Sequence, residues 1–219
     1  MIKLRTHTQV FAAVMTLLCV SGITWAGMGD SELITAAENG HVARVKALLA
    51  TKANVNAKGE DGVTPLIAAS RNGYEEVVQV LLEAKADVNE KTSNGSTALM
   101  QASQKGHRQV VQELLAAKAD VNARRADGIT VLMQAAQEGQ GHIVQMLLAA
   151  GADVDAQLDN GATALMLAAQ IGHKGVTQAL IAGNADVNAK AGNGATALML
   201  ASKYRHQDVV RLLREAGAR

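Results

Sequence analysis

Aromatic side chains are nearly missing from this sequence, at 2% of 219 residues. Phe11 and Trp25 lie in the N-terminal stretch, which leaves Tyr74 and Tyr204 for everything beyond it. So few rings exclude a stacking platform for single-stranded nucleic acid and an aromatic cage for a cationic ligand. The single cysteine, Cys19, belongs to the same stretch, so the rest of the chain has no disulfide framework, no thiolate ligand and no cysteine nucleophile. Charge of one sign is also lacking: 21 Lys and Arg face 20 Asp and Glu, for a formal net charge of +1. That balance excludes polyanion binding by bulk charge. What is plentiful is apolar material, 48% of the residues, enough to bury a core.

The first residues read as an address. Lys3 and Arg5 make a basic start, no Asp, Glu, Lys or Arg occurs from Thr6 to Gly29, and the densest apolar run is Val10 to Val20. Thr24 and Ala26 supply small residues at the minus-three and minus-one positions of a cut. This layout predicts a secretory signal peptide over residues 1–26, cleaved after Ala26. The run is shorter than the roughly 20 residues that cross a bilayer, so an uncleaved anchor is the lesser reading. The expected destination is the periplasm or the medium. The processed chain of residues 27–219 loses two basic residues and no acidic one, which takes its charge to 19 minus 20, or −1.

The rest is periodic. Segments beginning at Asp61, Asn94, Asp127, Asn160 and Asn193 are 33 residues apart and read DGVTPLIAAS, NGSTALMQAS, DGITVLMQAA, NGATALMLAA and NGATALMLAS. Apolar stretches answer them: VVQVLLEAKADVN from Val77, VVQELLAAKADVN from Val110, IVQMLLAAGADVD from Ile143 and VTQALIAGNADVN from Val176. A shorter copy precedes them from Ser31 to Glu60. A period of this length marks a solenoid. Thr64, Thr97, Thr130, Thr163 and Thr196 are placed to N-cap a first helix in each copy, and Pro65 suits a first helical position. Gly40, Gly73, Gly106, Gly139 and Gly172 break the chain before a second helix. Each helix spans about ten residues, too short to stand alone, so stacking on neighbours must hold it.

These motifs resemble the ankyrin repeat across residues 30–219. The resemblance implies an all-α repeat solenoid of stacked helix-turn-helix units joined by β-hairpin-like loops, with six repeats at 30–60, 61–93, 94–126, 127–159, 160–192 and 193–219. The first and last copies are expected to be polar caps. The sequence departs from the family pattern in several places. The proline is kept once. Lys52, Lys85, Lys118 and Asn184 stand where the family ends its second helix with a left-handed glycine, and only Gly151 precedes an A-D-V motif in the family manner. Lysine in that conformation costs about 1 kcal/mol, so the N-terminal half is expected to fray before the Gly151–Gly183 region. Ile67, Met100, Met133, Met166 and Met199 replace the family's first-helix histidine. They are expected to pack between copies rather than bind copper.

No cluster of chemistry emerges. His41, His107, His173 and His206 recur one per copy, as do Asp87, Asp120, Asp153 and Asp186. Equivalent atoms of stacked copies stand roughly 8–10 Å apart, too far to share a metal ion or form a carboxylate dyad. The histidines are expected to make a structural hydrogen bond at the helix–helix turn, and the loop Asp and Asn residues to cap turns. No phosphate loop, nucleophile elbow or H-E-x-x-H occurs. The expectation is therefore a non-catalytic, monomeric module without cofactor or metal, and without nucleic-acid or membrane partner once processed. An enzyme or metal-binding protein is the reading from another class, and a secreted effector acting on a host or rival-cell protein the alternative within binding. The resemblance places a partner protein in a concave groove. The candidate residues are Arg71, Gln101, Gln104, Arg124, Arg125, Gln134, Gln137, Leu167, Gln170, Ile171, Leu200, Lys203 and Tyr204. Along this face Gln dominates copies three and four, while Leu167, Ile171, Leu200 and Tyr204 make copies five and six apolar.

Overall fold

A computed structural model describes residues 25–219, with side chains from Met28 onward; the expected signal segment lies outside the described residues except for its last two positions. Twelve helices follow in order among those residues: α1 (Trp25–Glu38), α2 (Val42–Ala50), α3 (Pro65–Asn72), α4 (Glu75–Glu83), α5 (Ala98–Lys105), α6 (Arg108–Ala116), α7 (Val131–Gln137), α8 (Gly141–Ala149), α9 (Ala164–Ile171), α10 (Lys174–Ala182), α11 (Ala197–Lys203) and α12 (Gln207–Glu215). They form antiparallel pairs that stack in sequence, an all-helical repeat solenoid. The connecting loops carry isolated antiparallel bridges, Arg124 with Thr130 and Gln157 with Thr163, and one 3-10 turn at Glu60–Gly62. The first copy departs from the others: α1 is 14 residues long and begins at Trp25, so the expected cut after Ala26 falls in its first turn.

Local sequence sets each pair. The five threonines sit in extended backbone and accept a hydrogen bond from the amide three residues on, from Thr64 with Ile67 at 3.3 Å to Thr196 with Met199 at 3.3 Å. Pro65 opens α3 at the position where its missing N–H is harmless. Small residues Ala68, Ala69, Ala102, Ala135, Ala136, Ala168 and Ala169 are buried and bring the first helices close. The second helices bury Val77, Val78 and Leu81 of α4 and their equivalents. The result is one continuous core from Leu33 to Ala218. Met100, Met133 and Met166 are buried in it, and Met199, which no later copy covers, is 57% exposed.

Two devices join each copy to the next. The first is a ring seated on a glycine. Gly40, Gly73, Gly106, Gly139 and Gly172 all have positive φ. Above each lies the side chain that opens the following copy's second helix: Tyr74, His107, Gln140, His173 and His206. A Cβ built at Gly73 would come within 2.5 Å of the His107 ring. Glycine is thus demanded twice, by backbone and by space. Four of the five seated side chains, all but Tyr74, also bond the preceding copy: His107 Nε2 to the Arg71 carbonyl at 3.1 Å, His173 to Gln137 at 2.9 Å, His206 to Gln170 at 3.0 Å, and the Gln140 amide to Gln104 at 3.3 Å. In the last copy Arg205 takes the glycine's place at φ 62.

The second device is a ladder along the loops. Asn56, Asn89 and Asn122 accept the backbone N–H of Asp87, Asp120 and Asp153 through Oδ1, each at 2.8 Å. Asp155 does the same for Asp186 at 2.9 Å, and Asn188 for Arg219 at 2.9 Å. At the N-terminal end Asp30, from α1 of the same copy, accepts the Asn54 N–H at 2.7 Å. The Asp87, Asp120, Asp153 and Asp186 carboxylates close the turn inside their own loop, two residues on. Lys52, Lys85 and Lys118 adopt the left-handed conformation at φ 66–68, and Asn184 at φ 65, as the helix-ending position requires.

Two measurements check this packing. Gly151 has φ 89 with open space above it, whereas Gly73 is under the His107 ring. Gly151→Ala is expected to cost only the backbone term, about 1 kcal/mol, and Gly73→Ala about 2–4 kcal/mol in urea unfolding. Equal losses would contradict the seated-ring account. Between outer helices, Glu113 accepts from Gln79 at 2.5 Å while its second oxygen is buried without a partner. Burial, reinforced by the Glu75 charge and opposed by the Gln79 bond, pushes its carboxyl above the ordinary glutamate range. The native state therefore favours neutral Glu113. That stabilisation is fully present below the unfolded carboxylate range and is lost as pH rises through the folded value. Glu113→Gln is expected to melt higher than the parent at pH 7, with the difference vanishing in acid.

Candidate partner-binding groove

The first helices and loop tips lie along one face of the stack, and the positions that point there recur every 33 residues. One row on the first helices holds Ala68, Gln101, Gln134, Leu167 and Leu200. The next row holds Glu38, Arg71, Gln104, Gln137, Gln170 and Lys203, and the adjoining one Asn72, Lys105, Glu138, Ile171 and Tyr204. A shallow cleft of about 310 Å³ runs between tips and helices in copies two and three, lined by Asp61, Val63, Arg71, Thr92, Ser93, Asn94 and Gln101.

Polar groups in the first four copies are largely engaged with one another. Arg71 pairs with Glu38 at 2.7 Å, and Asn72 donates to the Glu38 carbonyl at 2.8 Å. Gln104 donates to Glu138 at 3.2 Å. Arg124 donates to the Gln157 carbonyl at 3.0 Å, which ties one tip to the next. Arg125 pairs with Asp127 at 2.7 Å and reaches Gln134 Oε1 at 3.2 Å. Gln134 departs from the groove expectation: it is buried, because its amide oxygen is drawn in as the acceptor for Arg125. Gln101, Gln137 and Gln170 make no side-chain hydrogen bond among the described residues.

Copies five and six differ. The tip-to-helix contact that Arg125 and Gln134 make in copy four is replaced at the same positions by Leu158 and Leu167, then by Ala191 and Leu200. Leu158, Leu167 and Leu200 are half-buried against the core. Ile171 is 46% exposed and Tyr204 45% exposed. Tyr204 is flanked by Lys203, whose Nζ is 5.4 Å from the ring centroid, and by the His206 ring at 6.5 Å. Those flanking groups hold the ring in place while its outer edge stays open. The row of backbone bonds between tips is broken once, in copy four, just ahead of these copies. Ser93 N–H donates to Asp61, Ala126 to Asn94 and Gly192 to Asn160, but no such rung joins Asp159 to Asp127.

The sequence placed the groove residues in rows but missed their mutual pairing, which depends on which rotamers meet across copies. Among the described residues no three His, Cys, Asp or Glu side chains gather as a metal set. No helix is long and apolar enough to cross a membrane among the residues described. The seated histidines are engaged by carbonyls of the preceding copy.

The family described as ankyrin repeats, three copies to a unit, matches residues 11–92, 33–125, 84–157 and 132–219. The chain belongs to the ankyrin-repeat family. No curated protein matches it. Ankyrin repeats are generally protein–protein interaction modules and typically non-catalytic. In this ankyrin array the burial pattern predicts a graded response to peroxide: Met199 should be oxidised well before Met100, Met133 and Met166, read by peptide mass spectrometry. Equal rates would show that the copies do not pack as described.

Proposed function

We propose that this ankyrin array is an exported, non-catalytic binding module that engages another protein through the copy-five and copy-six end of its groove. The observation that carries the reading is the contrast within one face. Arg71, Gln104, Arg124, Arg125 and Gln134 are engaged inside the chain, whereas Ile171 and Tyr204 remain open beside Leu167 and Leu200. An exposed apolar cluster around a tyrosine is the composition of a contact hot spot. The partner is expected to be a protein outside the cytoplasm, and the chain a monomer that shields or assembles it in the periplasm.

Export is supported by the basic start, the uncharged stretch from Thr6 to Gly29 and the small residues before Gly27. It is tested by fractionating the cells that make the protein and sequencing its N-terminus. A soluble periplasmic form beginning at Gly27 is the expected result, a form in the medium would favour the effector reading, and an unprocessed cytoplasmic form would overturn export. The binding reading is tested by capture with the wild type and with Leu167→Ser, Ile171→Ser, Leu200→Ser, Tyr204→Ser combined, after circular dichroism shows the variant folded. A protein held by the wild type and lost by the variant is expected. Retention by both would move the site elsewhere.

A further inference from the structure

The apolar end of the same groove is bordered by cations, and they say what its occupant carries. Toward the N-terminal end Glu60 and Asp61 are exposed and Glu38 is paired with Arg71, while Lys91 on a tip and Lys105 on an inner-helix row are exposed cations among polar copies. At the other end Lys203 stands on a groove row of copy six, Arg205 follows Tyr204 at the turn after α11, and Lys190 stands on the tip just before that copy. All three are exposed, and none has an acidic partner among the ion pairs of the described residues. The undescribed N-terminal residues contain no Asp or Glu that could supply one. On the inner-helix rows of copies five and six there is no carboxylate; the nearest tip contributes only Asp159. Some cations elsewhere are neutralised, Lys58 by Glu90 at 2.7 Å and Arg125 by Asp127 at 2.7 Å, and others such as Lys91 and Lys105 are not; what sets Lys190, Lys203 and Arg205 apart is the apolar surface beside them. The cations at the apolar end are left facing solvent around Leu167, Ile171, Leu200 and Tyr204.

We infer that the copy-five and copy-six end of the groove takes a protein segment that combines apolar side chains with carboxylates, the apolar groups seated on Leu158, Leu167, Ile171, Leu200 and Tyr204 and the acids on Lys190, Lys203 and Arg205. This rests on the binding function proposed above and specifies its ligand. Charge complementarity at a rim steers encounter and rejects wrong partners. Lys203 serves twice, since the cation that rests by the Tyr204 ring also presents its charge at the rim. The apolar residues recur on helix rows and tips from one copy to the next, a spacing that an extended chain segment can follow, so a peptide is favoured over anionic lipid. Arg205 gains a further role from its position. Its counterparts in the earlier copies are glycines covered by a seated side chain, whereas Arg205 is exposed and follows Tyr204 directly.

The test is panning of random short peptides displayed on phage against the full chain, in parallel with Lys203→Glu, Arg205→Glu combined and with the four-serine groove variant. The expected result is enrichment of peptides pairing Leu, Ile, Phe or Trp with Asp or Glu. A synthetic peptide of the enriched sequence should bind the charge-reversed variant about tenfold more weakly, and its binding to the wild type should weaken with added salt. Panning on the charge-reversed variant should turn the preference toward Lys and Arg. Apolar enrichment without acidic bias, lost on the serine variant, would overturn the acidic ligand and leave the groove reading standing. Peptides that bind the serine variant equally well would instead overturn the groove reading itself. Displacement of the peptide by phosphatidylglycerol vesicles would assign the basic rim to lipid and contradict the inference.

Discussion

Everything in this molecule depends on the contact between one copy and the next. No helix after α1 exceeds nine residues, and an isolated helix of that length is marginal in water. Stacking supplies what each lacks, and it is specified at two places per copy. One is a side chain seated over a left-handed glycine and, except for Tyr74, hydrogen-bonded to the carbonyl beside it. The other is an Asn or Asp oxygen that accepts the next loop's amide. Both are nearest-neighbour interactions, so stability is added copy by copy and a defect in one interface weakens only its surroundings. The buried methionines fill the space between, with side chains flexible enough to suit slightly different neighbours.

This repetition explains how much was legible in the sequence. The period, the Thr caps, Pro65, the helix-breaking glycines and the apolar faces are local signals in register, and each appears in the structure where its residues stand. The left-handed Lys52, Lys85 and Lys118 were also legible, because their neighbours fix the conformation whatever residue occupies the site. The seated rings were half legible: a structural hydrogen bond was expected of His41, His107, His173 and His206 and is made by the last three, while exposed His41 has no earlier glycine to sit on, and the glycine each of the others covers was not expected. The loop ladder was legible only as turn capping, since a side chain that closes its own turn and one that reaches the next copy share the same composition. Asp30 standing in as acceptor for Asn54 had no sequence signal at all, because it belongs to a helix and not to the repeating loop.

The groove was legible as a set of rows and illegible as a surface. Position along a 33-residue repeat tells which side chains share a face. It does not tell that Arg125 turns inward to Gln134, that Arg71 finds Glu38, or that Arg124 bonds the neighbouring tip. These pairings lower the reactivity of the polar copies toward a partner and leave contrast where Leu158 and Leu167 replace Arg125 and Gln134. One substitution pair at a tip-to-helix contact thereby divides the face into a polar part, internally paired except at Gln101, Lys105 and Gln137, and an apolar part. The division coincides with the missing backbone rung between Asp127 and Asp159.

The central claim is that a partner sits on copies five and six and not on the polar copies before them. It is tested most directly by placing a photo-crosslinking amino acid at Ile171 in one strain and at Gln104 in another, with the protein in its native cells. The account predicts a crosslinked protein adduct at Ile171 and none at Gln104. An adduct at Gln104 with none at Ile171 would contradict it.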